Sequence, residues 1–222
     1  MSERPDLSTK LDSKTFKEYY YLKEEKIMDD VFSIIKEKIA SEFGRSIEDV
    51  EQYFDKQMFT ENTNKEGKHL YLFRKLKIKE VLEGIYKNQA RYSIFTQDGQ
   101  YVGYIDAEIS NNPKVDEVEI IAEASKEHRN KGNIPICLEE VLKDIFEDKS
   151  FDNLQVQKSY NKTKIQRIFL SINKENIASQ KSAQKSGFRL TKEDDYNTIY
   201  EITKNQFLER RKKKRQEEID QL

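Results

Sequence analysis

The sequence predicts an α/β fold, a mixed and mostly antiparallel sheet flanked by helices, with an N-terminal helical extension. Three observations lead there. Apolar residues recur at helical spacing as far as Met58 and then, from His69 onward, take up the alternation of strands. Asp98-Gly99 is a two-residue hairpin signal between RYSIFT and YVGYIDAEI. The acidic segment DEVEIIAEA then passes through HRNKGN straight into IPICLEEVLKDIFED, where Leu138, Val141, Leu142 and Ile145 mark an amphipathic helix.

Ser13 is a candidate cap for a first helix with Phe16, Tyr19, Tyr20, Ile27, Val31, Ile34, Ile35 and Ile39 on roughly one face, ending near Gly44. Ser46 and Asp49 have the spacing of a capping box for a second helix, with Val50, Tyr53, Phe54 and Met58 inward. The run TENTNKEGK reads as a linker. LYLFRKL predicts a strand, IKEVLEGIYKN a short helix, and RYSIFT and YVGYIDAEI two strands. Asn111, Asn112 and Pro113 turn the chain into DEVEIIAEA, which sets Val118, Ile120 and Ala122 on one face and Glu117, Glu119, Ile121 and Glu123 on the other. After a polar segment from Lys149 to Lys164, IQRIFLSI predicts a strand, NKENIASQKSAQKS a helix, and GFRL and TIYEIT two closing strands around the turn DDYN. Helical composition resumes at Lys204. The expected units are a helical region 1–64, an α/β domain 65–203 and a charged helical tail 204–222.

With charged residues at 36% and a formal net charge of -1, the chain as a whole is no polyanion binder, so charge must act by position. No apolar run reaches the roughly 18 residues of a membrane span, and the first residues lack the apolar segment of a signal peptide, so a cytoplasmic protein is expected. One cysteine, Cys137, excludes an internal disulfide and a multi-cysteine metal site; with only His69 and His128, no metal is expected.

The loop from His128 to Asn133 feeds a helix for which Asn133 is the candidate N-cap and Pro135 suits the first turn. Free N–H groups and the positive end of the helix dipole suit a phosphate there; Gly132 allows close backbone approach, and Arg129 and Lys131 add charge. A basic turn before a helix is also what any solvated connection looks like.

Two motifs carry a resemblance. Arg129-Asn130-Lys131-Gly132-Asn133-Ile134 lies between an acidic strand and an amphipathic helix, and Asn176, Ser179, Gly187 and Phe188 are spaced along NKENIASQKSAQKSGFRL. In these the region from Leu70 to Thr203 resembles the GNAT superfamily of acyl-CoA N-acyltransferases. The resemblance implies acetyl-CoA as acyl donor, its pyrophosphate cradled by the loop from Arg129 to Ile134 and its pantetheine arm between the acidic strand and IQRIFLSI, touching Asn176 and Ser179. It implies direct attack by an amine, a small molecule or a protein, with Glu119 as general base and Glu123 as the second candidate. Both also fit as solvated strand residues or as binders of a cationic acceptor.

Two departures bear on mechanism. Ile134 stands where the family prefers glycine or alanine, which crowds the phosphate site, and Ala183 stands where many relatives place a tyrosine to protonate the leaving thiolate. Tyr160, Tyr196 and Tyr200 are the substitutes to examine. Cys137 is expected to pack, and His128 to be solvated or beside phosphate. A catalytically inactive acyl-CoA-binding module keeps the fold without the chemistry. The run RRKKKR, Arg210 to Arg215, followed by Glu217, Glu218 and Asp220, fits a salt-bridged helix end or a nucleic-acid or ribosome contact. Tyr19, Tyr20 and Tyr21 make the first helix a candidate dimer or partner surface.

Overall fold

The computed structural model describes residues 29–30, 32–41, 44, 46–51, 54, 56–82, 85–109, 117–147 and 165–220. The cap at Ser13, the tyrosines at 19–21, Tyr53, the turn at 111–113, and the segment 149–164 with Tyr160 lie outside them. Eight strands form one sheet in the order β1-β2-β3-β4-β5-β6-β8-β7. These are β1 (Lys56–Phe59), β2 (Leu70–Leu82), β3 (Ile85–Thr96), β4 (Tyr101–Ile109), β5 (Glu117–Ala124), β6 (Arg167–Asn173), β7 (Arg189–Glu193) and β8 (Asn197–Thr203). All pairings are antiparallel except that of β5 with β6.

Alternation along the strands divides the apolar residues between two faces. The larger core lies on the face that carries Leu72, Ile94, Ile105, Val118 and Ile168, and is closed by α3 (Asn133–Glu147), α4 (Ile177–Lys185) and α5 (Lys204–Asp220) through Leu138, Val141, Leu142, Ala183 and Phe207. On the opposite face Tyr71, Phe73 and Phe95 meet Phe32 and Ile35 of α1 (residues 32–41). Phe32 stacks on Phe73 with ring centroids 5.3 Å apart. The short α2 (Ile47–Glu51) buries Val50.

Three expectations are corrected. IKEVL and IYKN lie in β2 and β3 rather than in a helix, with a ladder running from Leu70↔Thr96 to Leu82↔Ile85. Their β-branched residues suit a strand, Gly84 weakens a helix, and β3 has a second partner in β4 from Asn88↔Ile109, so pairing overrides the local period. Met58 is not helical: it pairs with Leu72 in β1. The supposed linker is an ordered connection in which Thr60 and Asn64 are buried. Thr60 Oγ1 accepts from the Leu70 N–H at 2.8 Å, and Asn64 Oδ1 accepts from the N–H groups of Glu66 and Lys68 at 2.9 and 3.0 Å. The basic run agrees with the reading of a salt-bridged helix end: Arg210 pairs with Glu139 and Arg211 with Glu147, both on α3, and Lys213 lies 3.8 Å from Glu217. Phe207 anchors this helix and is fully buried.

Inside the main core, Asp144 of α3 binds Lys56 of β1 at 2.7 Å, Arg74 of β2 at 2.7 Å and the Tyr92 hydroxyl of β3 at 2.8 Å. Burial and the neighbouring carboxylate push the Tyr92 phenol well above its usual range, so it stays a donor. Asp144→Asn removes the charge that balances two cations, and the expected loss is about 3–5 kcal/mol of unfolding free energy. Urea denaturation checks it; a loss below about 1 kcal/mol would show that the cluster is not a stabilising hub.

Candidate active site

β5 and β6 pair over three positions only, Glu117↔Arg167, Val118↔Ile168 and Glu119↔Phe169, although β5 continues to Ala124 and β6 to Asn173. Beyond Phe169 the first stays bonded to β4 and the second to β8. Between their free edges opens a cleft of about 910 Å³, lined by Ile120 to Ala124 on one side and Leu170 to Asn173 on the other. Such edges offer main-chain N–H and C=O groups to an extended ligand arm.

The cleft ends at the basic loop. Asn130 (φ 62°) and Gly132 (φ 78°) are left-handed, a conformation that asparagine tolerates and glycine adopts freely, and they turn the chain into α3. Asn133 is not the cap expected of it. It is the first residue of α3, almost wholly buried, and its side chain donates to the His128 carbonyl at 3.0 Å while accepting from Asn64 Nδ2 at 2.8 Å. The residue ahead of the helix is therefore Gly132, which has no side chain to occupy the first N–H groups, and an anion can take them. Ile134 packs partly against the main core while still lining the cleft. Arg129 lies 3.9 Å from Glu123, and Lys131 lies 3.0 Å from Glu66.

On the far wall Asn176 is the N-cap of α4, its Oδ1 accepting from the Ser179 N–H at 3.1 Å, and both residues line the cleft. Capping fixes the side-chain oxygen of Asn176 and leaves its amide nitrogen for a ligand. Ala183 is buried. Neither replacement tyrosine lines the cleft: Tyr196 is 75% exposed, and the buried Tyr200 directs its hydroxyl to Gln180 Oε1 at 3.4 Å.

The three acids of β5 differ in their ties. Glu117 pairs with Arg167, which also reaches Glu201 at 3.5 Å. Glu123 lines the cleft, but it already accepts from the Tyr104 hydroxyl at 3.2 Å. Desolvation, then this bond, raises the Tyr104 phenol. Tyr104 in turn lies under the Arg91 guanidinium, 4.4 Å from the ring centre, and Asp106 grips Arg91 at 2.8 and 2.5 Å, holding it charged. Glu119 is not among the lining residues. It stands at the last paired position, on the sheet face away from α3 and one residue before the cleft begins, and among the described residues nothing forms an ion pair with it.

Sequence reasoning missed Asn64, Lys65 and Glu66. Lys65 lines the cleft, its N–H donates to the Lys131 carbonyl at 3.0 Å and its ammonium to the Asn130 carbonyl at 2.8 Å. No local signal marks these residues, since their partners lie more than sixty positions away in the sequence.

Residues 37–189 match the family described as the acetyltransferase (GNAT) domain. The chain belongs to the GNAT acetyltransferase family. As a GNAT enzyme it is an N-acetyltransferase that draws its acetyl group from acetyl-CoA. The dodecameric spermidine N-acetyltransferase of Vibrio cholerae, in an intermediate state, aligns over 55% of this chain and 68% of its own at 16% identity with a TM-score of 0.44. The Vibrio cholerae spermidine N-acetyltransferase in complex with CoA and spermine aligns over 54% and 68% at 15% identity with a TM-score of 0.42. A comparison with curated protein sequences returned no match. Among the described residues no helix is long and apolar enough to cross a membrane, and no group of three or more His, Cys, Asp or Glu is placed to hold a metal ion.

Cys137 lies in α3 with no exposed surface, and burial, with Glu140 nearby, pushes its thiol well above the usual range. The thiolate is the nucleophile in alkylation, so a raised pKa and a closed core both protect it. Iodoacetamide at pH 8 is expected to leave the folded enzyme unmodified and to alkylate it fully in urea, as read by intact mass; alkylation of the folded enzyme would contradict this placement.

Proposed function

We propose that this GNAT enzyme acetylates a cationic primary amine, carried by a small molecule or by a protein, with Glu119 as the general base. The observation that carries the reading is the position of Glu119 at the apex of the parted strands, with no ion-pair partner among the described residues, while Glu117 and Glu123 are engaged. An amine entering from the face away from α3 meets Glu119, and a carboxylate there favours a cationic acceptor. Glu119, directly or through one water, takes a proton from the ammonium to leave the neutral amine; the bond from its nitrogen to the acetyl carbon then forms as the carbon–sulfur bond breaks, and the second nitrogen proton leaves to water. With Ala183 in place of a hydroxyl donor, the departing thiolate takes its proton from water in the open cleft.

The donor side follows the same logic. The N–H groups of Asn130, Lys131, Gly132, Asn133 and Ile134, with the Arg129 side chain beside them, hold the pyrophosphate at the N-terminus of α3, and Asn176 and Ser179 steady the pantetheine arm. The space fits: a Cβ placed on Gly132 would meet only the Lys65 side chain, at 3.4 Å and beyond, so the backbone there is open to a ligand. Glu123 positions Arg129 more than it moves protons. We assign 65–203 as the catalytic unit with 1–64 and 204–222 as its flanks, and the cytoplasm as its compartment.

Gly132→Trp is expected to abolish acetyl-CoA binding in titration calorimetry while the protein stays folded. Retained affinity would move the donor elsewhere. Glu119→Gln is expected to lower kcat about a hundredfold or more against a polyamine or peptide acceptor, with the KM for acetyl-CoA within about twofold of the unaltered enzyme. If instead Glu123→Gln carries the large loss in kcat and Glu119→Gln does not, the base is Glu123.

A further inference from the structure

The connection between β1 and β2 closes over the donor loop at several points. Buried Asn64 ties itself to Asn133, the Lys65 backbone N–H binds the Lys131 carbonyl, and Glu66 pairs with Lys131. The Lys65 methylenes lie above Gly132, and its ammonium binds the Asn130 carbonyl at 2.8 Å. That bond uses one of three N–H donors. Charge around the loop is otherwise partly neutralised: Lys131 has Glu66, and Arg129 faces Glu123. Among the described residues no carboxylate forms an ion pair with Lys65, and its side chain lines the cleft beside Asn130 and Gly132.

We propose that Lys65 is a phosphate-binding residue of the donor site, delivered by the β1–β2 connection, with one N–H holding Asn130 in its left-handed turn and the remaining two available to the pyrophosphate of the acyl donor. The inference rests on the donor-site reading above and adds a second wall to it. It also gives a reason for the burial of Asn64, which fixes the connection so that the exposed Lys65 stands over the loop.

The test compares the unaltered full chain with Lys65→Met and Lys65→Arg. Calorimetric titration with CoA and with dephospho-CoA reads affinity, and the thermal midpoint of the ligand-free protein reads the fold. Methionine keeps an apolar stem over Gly132 and removes the charge. The expected result is about a tenfold weaker affinity of Lys65→Met for both ligands, an unchanged thermal midpoint, and most of the affinity kept by Lys65→Arg. Equal affinity in Lys65→Met would overturn the inference while leaving the donor site intact. A loss confined to CoA would move the contact to the 3′-phosphate and overturn it too, and a fall in the thermal midpoint matching the loss of affinity would reduce Lys65 to a brace. If the unaltered protein binds neither ligand, the donor-site reading fails and this inference falls with it.

Discussion

β5 and β6 can part because each is held along its other edge. β4 follows β5 from Ile109↔Val118 to Gly103↔Ala124, and β8 follows β6 over its whole length. The first ladder depends on Gly103: a Cβ there would lie 2.1 Å from the Glu123 carbonyl oxygen, so only a residue without one lets β4 stay bonded to the end of the cleft wall. α3 supports the parting from below. Cys137, Leu138, Val141 and Leu142 pack against the inward residues of β4 and β5, and burying each of the larger side chains contributes about 1.5–3 kcal/mol. The helix that fills the core is thus the one whose N-terminus closes the cleft, and packing and anion binding share one element.

Charge is used in the same economical way. Asp144 is buried, but two cations and a phenol surround it, so its desolvation is offset and α3 is tied to β1, β2 and β3 at once. Glu140 one turn earlier is also buried; desolvation raises its pKa, with Lys143 acting against that rise. At the other side of α3, Arg210 pairs with Glu139 and lies over Gly187, where a Cβ would come within 2.8 Å of its guanidinium. The glycine after α4 is required by its φ of 88°, and a Cβ there would also displace the flexible end of Arg210. The basic run serves the fold first.

The acceptor face is organised by pairing. Asp106, Arg91, Tyr104 and Glu123 form one connected series that ends at Arg129 of the donor loop, and Glu117 is tied to Arg167. Among the described residues no ion pair holds Glu119, which separates it from Glu117 and Glu123. The chemistry asked of the protein is modest. The thioester is an activated donor, and in the proposed mechanism the cleft contributes orientation, a base and an anion site.

Much of this was legible in the residues because it is written in local periods. The alternation in β5, the helical stripe of α3, the Asp98-Gly99 hairpin and the spacing of Arg129 to Gly132 and of Asn176 to Phe188 each lie within one element, and the sheet class and the donor loop followed from them. What failed shares a different origin. Ile78, Val81, Leu82 and Ile85 fit a helix as well as a strand until β4 supplies a partner for β3, and the polar run at 60–68 reads as solvent-facing until Asn133, 69 residues on, accepts a bond from Asn64. The sequence by itself determined the fold class and the family, since those depend on residue types at short spacing. Only the tertiary structure decided which acids of β5 are engaged, that Asn133 braces rather than caps, and that Lys65 reaches the cleft, because each depends on a contact between segments that meet only when the sheet closes.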